Sequence, residues 1–205
     1  MIDLYAAPTS NGLRAKIMCD ESGLPYTLHN VDMAKGAHKT PDFIKMNPNG
    51  AIPVIIDNDG PGGKPMTMTQ SAAILVYLAE KSGKLIPKDP AKRAAMWPAL
   101  MSAASDIGMT LGTVFAIARS KDPHKPTQDM FEGKFKDYLK VWDDTLAKQT
   151  YAAGDEMTIA DVALFGVTYR ARNVSPALLE GFPNIAKWEK MIAERPGVQK
   201  GIKFG

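Results

Sequence analysis

The apolar positions in the first part of the chain fall in short runs closed by turn formers. Runs at 2–6, 26–31 and 52–56, with a shorter one at 65–69, read as strands, while 12–22, 41–46 and 71–81 carry helix signals. Their alternation predicts a mixed α/β unit. The cluster Asp57-Asn58-Asp59-Gly60-Pro61-Gly62-Gly63 concentrates turn formers and predicts a junction between two antiparallel strands, the second of which aims the chain at Gln70. Gly83 and Pro87-Lys88-Asp89-Pro90 then break the pattern as a linker. From about Ala91 the strand signals vanish. The remainder predicts a long helix to about 120, a second over 127–149, a third over 159–173 and shorter ones after Pro176 and Pro183. Pro98 either kinks the first of these or marks its start. Thr158 with Asp161 three residues on predicts a reciprocal cap for N–H groups that a core would bury unpaired, a folding device and not a catalytic one.

Composition narrows the function classes. A chain of 205 residues is long enough for one large domain or two small ones with an ample core. The apolar stretches fall short of the roughly eighteen residues a membrane span needs, and no tripartite leader opens the chain, so a cytoplasmic protein without membrane partners is expected. The net charge of +3 arises from 25 basic and 22 acidic residues spread along the chain, which gives little field to attract nucleic acid and favours at most small anions. A single cysteine, Cys19, excludes an internal disulfide and a Cys-x-x-Cys pair. No metal is expected.

Candidate chemistry gathers at three places. Pro53 cannot donate to a sheet ladder, so it starts the strand, lies at an edge, or turns there through a cis bond. A cis turn would leave the backbone of Val54 exposed, open to an extended peptide added as a further strand. Gln70-Ser71 heads a helical run, where backbone N–H groups, the Ser71 hydroxyl and the positive dipole end suit a carboxylate. Thr9-Ser10-Asn11 lies where the first strand meets the first helix. Each has an ordinary reading, a strand after a turn or a helix cap. The pairing of Pro53 with Gln70-Ser71, and their order, point to a bound peptide.

These residues resemble those of the cytosolic glutathione transferases, whose amino-terminal domain has a cis-Pro, a strand and then a Glu/Gln-Ser pair. The resemblance covers nearly the whole chain. The loop Ala7-Pro8-Thr9-Ser10-Asn11-Gly12-Leu13 is similar to that of the bacterial Nu-class branch, which includes glutathione-dependent disulfide reductases and places a Thr and an Asn two apart. Thr158-Ile159-Ala160-Asp161 resembles the family's buried capping box, and Phe182-Pro183-Asn184 with Arg195-Pro196-Gly197-Val198 fits its last helices. The resemblance implies a thioredoxin-like α/β domain over 1–83, a linker over 84–90 and an all-helical domain over 91–205.

It also implies glutathione as co-substrate, lying along Ile52, Pro53 and Val54 with its γ-glutamyl end at Gln70 and Ser71. Gln70 replaces the acid more often found in this branch. His38 or Lys39, in a loop that also carries Lys35, is expected to hold the glycine carboxylate. The Thr9 hydroxyl and the Asn11 amide are the preferred donors to the sulfur, with Ser10 as the competing hydroxyl. Tyr5 reads as core or pocket wall and Cys19 as a small buried residue. Met130 falls where the branch has an arginine reaching across the dimer, with Lys134 a distant substitute.

A glutathione-like thiol titrates near about 8.5, so little of it is nucleophilic thiolate at neutral pH, and each unit of lowering needs about 1.4 kcal/mol. Donors beside a helix start supply about one or two units. The second substrate is expected to be an apolar electrophile or a disulfide bound between the domains, bordered by the helices of Met109, Phe115, Tyr169 and Arg172. The twelve methionines suit an adaptable wall. The expected enzyme is a homodimeric transferase, with disulfide reduction by glutathione exchange and ether cleavage as variants. A non-catalytic ligand carrier or interaction module on the same fold is the alternative.

Overall fold

The computed structural model describes residues 1–204 and divides into two compact units, Met1–Ile86 with the segment from Glu194 onward, and Pro87–Ala193. The first unit contains β1 (Ile2–Ala6), α1 (Ser10–Ser22), β2 (Tyr26–Asn30), α2 (Pro41–Met46), β3 (Val54–Asp57), β4 (Met66–Thr69) and α3 (Ser71–Ser82). Its sheet has the order β2-β1-β3-β4, with β1 parallel to β2 and antiparallel to β3, and β4 antiparallel to β3. This is the thioredoxin-like arrangement of the expected α/β domain. Alternation sorts β1 by face: Ile2, Leu4 and Ala6 are buried, while Asp3 and Tyr5 are half-buried. Ile17 and Met18 from α1, Ile55 from β3 and Ile74, Leu75 and Leu78 from α3 are all fully buried. A second cluster, Ala7, Val31, Phe43, Ile52 and Val54 with Tyr5 and Met46, seats α2.

Two boundaries differ from the sequence reading for reasons of hydrogen bonding. Helix α1 begins at Ser10, two residues before the expected 12, because Thr9 caps it. Strand β3 begins at Val54 and not at 52, because the Ile52–Pro53 peptide is cis and the prolyl nitrogen has no proton for a ladder.

The last helix, α9 (Pro196–Gly201), belongs to this first unit and not to the helical domain expected over 91–205. Its partners explain the placement. Lys16 donates to the Lys200 carbonyl at 2.8 Å, and Arg195 makes two bonds to the Glu21 carboxylate at 3.0 and 2.7 Å. Gly201 packs so closely on α1 that a Cβ there would lie 2.5 Å from Ile17 Cγ1.

The second unit is helical: α4 (Pro90–Met101), a π-helical turn (Ser102–Ile107), α5 (Gly108–Ala118), α6 (Lys125–Leu146), α7 (Ile159–Val174) and α8 (Pro183–Ala193). Asp89 caps α4 by accepting from Lys92 N–H at 2.9 Å, so Pro90 starts the helix and Pro98 lies inside it. The run Pro90–Ala118 reaches membrane-span length at a high mean hydropathy, but Ser102, Ser105, Asp106 and Thr110 interrupt its apolar residues, and in its most apolar window 39% is buried within the chain. Helix α7 is the centre of this unit, buried from Ile159 to Thr168. The capping box forms: Asp161 accepts from Thr158 N–H at 2.9 Å, and also from Ala152 N–H at 2.7 Å and Trp188 Nε1 at 3.0 Å. An acid at the helix start thereby satisfies three buried donors.

Candidate functional site

The sheet register collects the three sequence features at one end of the first unit. Val54 lies opposite Tyr5 on one side and Thr69 on the other. The loop that follows β1, the Pro53 turn that precedes β3 and the Gln70 junction that follows β4 therefore emerge together. This also corrects the expectation for Val54. It is paired into the sheet on both sides and fully buried, so its backbone is not exposed to an added strand; the part of this segment outside the ladders is 51–53.

In the first loop, Thr9 Oγ1 accepts from Gly12 N–H at 3.1 Å while Thr9 N–H donates to the Ala7 carbonyl at 2.7 Å. The turn is so tight that a Cβ on residue 12 would lie 2.0 Å from the Ala7 oxygen, which only glycine avoids. Thr9 is thus a helix cap whose hydroxyl proton is not used in capping. Thr9 and Ser10 are half-buried and Asn11 is exposed.

Asn11 joins this loop to α3. Its Oδ1 accepts from Arg14 Nη1 at 2.7 Å and from Ser71 Oγ at 3.3 Å, and Arg14 Nη1 also lies 3.3 Å from Ser71 Oγ. Arg14 is 1% exposed, and burial draws its guanidinium down to about 10. The sequence reading missed this residue. Its signal was a cation in the midst of Leu13, Ala15 and Ile17, one helical turn after Asn11.

Gln70 sits at φ 70°, ψ 113°, in the left-handed half of backbone space that a side chain disfavours. Its side chain is exposed and does not cap α3. The first-turn N–H groups of that helix, beginning at the buried Ser71, are accordingly not taken by a side-chain cap.

His38 and Lys39 form a 3₁₀ turn beside the segment that leads to Pro53. Lys39 Nζ donates to the Gly50 carbonyl at 2.9 Å and the Asn49 carbonyl at 3.3 Å, which commits two of its three protons to the loop. His38 Nδ1 is buried with no partner among the described residues. Ile52 is 9% exposed, and Asn47 Nδ2 holds the adjacent Ala51 carbonyl at 2.6 Å. Lys35 projects away, 86% exposed beside Asp32.

The remaining candidates are structural or remote. The Tyr5 ring stacks on His29, centroids 4.5 Å apart, and packs against the α2 cluster. Cys19 is 1% exposed, and burial pushes its thiol up to about 12, so it supplies no nucleophile at neutral pH. In the helical unit Met109 and Met130 are exposed, Lys134 lies over the Tyr138 ring, Tyr169 stacks on Phe165, and Arg172 pairs with Glu189 at 2.6 Å. Among the described residues no group of three or more His, Cys, Asp or Glu could hold a metal ion.

Residues 10–81 match the family model described as glutathione S-transferase, N-terminal domain, and residues 104–196 match glutathione S-transferase, C-terminal domain. The chain is 29% identical over 206 residues to the disulfide-bond oxidoreductase YfcG of Escherichia coli (strain K12), covering 98% of this chain and 94% of that protein. A solved glutathione transferase family member from Pseudomonas fluorescens pf-5, with two glutathione bound, is 32% identical, covers 100% of this chain and 93% of its own, and superposes with a TM-score of 0.94. A glutathione transferase from Pseudomonas putida, with one glutathione disulfide bound per subunit, is 36% identical, with coverages of 99% and 91% and a TM-score of 0.89.

Proposed function

The chain belongs to the glutathione transferase family, and from that premise we propose that it binds glutathione as co-substrate and activates the thiol as thiolate. The thiolate attacks electrophilic small molecules and disulfides. The observation that carries this reading is the Ser71–Asn11–Arg14 junction, which ties the start of α1 to the start of α3. It brings the Thr9–Asn11 loop next to the α3 start, which supports reading the two as the sulfur end and the carboxylate end of one small-ligand site.

In this reading the peptide runs along Ile52 and Pro53. The γ-glutamyl carboxylate meets the first-turn N–H groups of α3 at Ser71, beside Gln70, and the glycine carboxylate meets His38 and the remaining Lys39 proton. The Thr9 hydroxyl and Asn11 Nδ2 donate to the sulfur, with Ser10 alongside. Donors beside a helix start favour the anion, so the thiol proton is released to solvent near neutral pH.

With an aryl chloride the sulfur forms a bond to carbon and chloride leaves with its electron pair. With a disulfide the thiolate forms a mixed disulfide and expels one thiolate; a second glutathione thiolate attacks the glutathione sulfur, releasing the other thiolate and glutathione disulfide. No protein thiol takes part. That suits a chain whose one cysteine is buried and held protonated.

The working form in this proposal is a cytoplasmic homodimer. Met101 and Met109 are 45% and 67% exposed on the apolar run Pro90–Ala118, and a second copy is the cover that such a face calls for. Sedimentation should give twice the chain mass at micromolar concentration, and a monomer there would remove this part of the reading.

The test of function is retention on immobilised glutathione followed by turnover of a chlorinated dinitrobenzene and of hydroxyethyl disulfide. Retention with turnover of either is expected. Retention without turnover would make the protein a ligand carrier, and failure to bind would make it an interaction module.

A further inference from the structure

We propose that Arg14 is a positioning residue which fixes the end of the Asn11 amide that meets the bound thiol, a role that rests on the glutathione reading above. An asparagine amide offers an acceptor at one end and two donors at the other, and only the donor end stabilises a thiolate. Left free, the side chain presents either. Guanidinium has N–H donors and no acceptor, so the Asn11 atom 2.7 Å from Arg14 Nη1 is the oxygen. Ser71 adds its proton to the same oxygen at 3.3 Å, a longer and weaker bond. Nδ2 is then the end left for a ligand, and both of its protons lie outside this junction.

Reversing the amide would set an NH₂ group against the guanidinium and leave a buried cation's donor facing another donor. With Arg14 1% exposed, water has little access to replace the lost acceptor, so the reversed rotamer is strongly disfavoured. The charge on Arg14 strengthens the bond it makes and adds a positive potential at the start of α1. The same contact at 3.3 Å from Ser71 Oγ aligns the α3 start with it. Arg14 need not touch glutathione to act; it decides what Asn11 is.

The experiment uses the full chain with Arg14→Gln, Arg14→Lys and Asn11→Asp. The readings are the ultraviolet thiolate absorbance of bound glutathione against pH, the glutathione dissociation constant, and kcat separated from KM with the chlorinated dinitrobenzene. Gln both donates and accepts, so it no longer dictates the Asn11 rotamer; the bound thiol pKa should rise by about one unit and kcat at neutral pH fall about three- to eightfold, with glutathione affinity changing far less. Lys is donor-only like Arg and should restore most of the shift. Asp at position 11 accepts from Arg14 but has no proton for the sulfur, so it should raise the thiol pKa without disturbing the buried arginine, and it serves if Arg14→Gln does not fold. An unchanged thiol pKa in Arg14→Gln, or in Asn11→Asp, would overturn the proposal whatever happens to thermal stability. If wild-type protein binds no glutathione, the functional reading fails and takes this role with it, an outcome distinct from bound glutathione with an unmoved pKa.

Discussion

Thr9 caps α1 with one lone pair of its hydroxyl and, in the proposed function, donates the proton of the same hydroxyl to the bound sulfur. Its oxygen accepts the Gly12 N–H that opens α1, and its proton points away from that bond. The capping and the ligand readings of this residue are therefore compatible. Thr9→Ala is expected to cost about 1 kcal/mol of stability in urea unfolding, the usual worth of a cap, and to raise the pKa of bound glutathione. Thr9→Ser should preserve both, and a separation of the two effects would show that the hydroxyl serves only the helix. Cys19 makes the opposite case, a reactive residue type rendered inert by position. Its thiol, 1% exposed and pushed up to about 12, should resist aromatic disulfide reagents in the native protein and react on unfolding. Rapid native labelling would contradict the buried placement.

At the scale of elements, α1 anchors the candidate site and is held along its length. The Ala7 carbonyl crowds Gly12 at its start, Arg14 reaches α3, and Lys16, Ile17 and Glu21 receive α9. Among the glycines of α9 the closest approach is Gly201 against Ile17, where an added Cβ has no room. Gly201→Ala should lower stability by about 1–3 kcal/mol through overpacking, read as a lower denaturant midpoint with an unchanged slope. A neutral result would mean that α9 shifts freely on α1. In α4 the local rule gives way: Pro98 lies within a helix rather than at its start, four residues before the π-helical turn, a place where interrupted bonding is commonly absorbed.

For the molecule as a whole, acid stability depends on the carboxylates that the fold encloses. Asp57 closes the end of β3 with a side chain 1% exposed. Burial works against its charge, but bonds from Lys81 and Tyr77, each at 2.6 Å, and from Asp59 N–H at 3.0 Å hold it below the usual carboxylate range. A depressed carboxyl pKa contributes stability that is complete above the unfolded value, near about 3.9, and is lost as pH falls below it toward the folded pKa. Asp57→Asn should thus be less stable than wild type at neutral pH, with the difference narrowing below about pH 4. A gap that stays constant from pH 7 to about pH 3 would show that the ion pair is not what titrates.

The sequence by itself determined the element types and most of their positions, because the hydrophobic periods and turn formers of this chain are local signals with little conflict among them. It also determined the residue types offered at the candidate site: a proline with no ladder proton, a Gln-Ser helix start, and a Thr-x-Asn loop. Only tertiary structure decided that Val54 is paired on both sides, since that depends on which strands flank it. Only it decided that α9 returns to α1, more than 170 residues back along the chain between Glu21 and Arg195, because that contact is made by charges and a glycine with no apolar period to announce it. Arg14 shows the division most clearly: one turn after Asn11 it reads as a misplaced cation, and it acquires a meaning when α3 brings Ser71 within 3.3 Å of it.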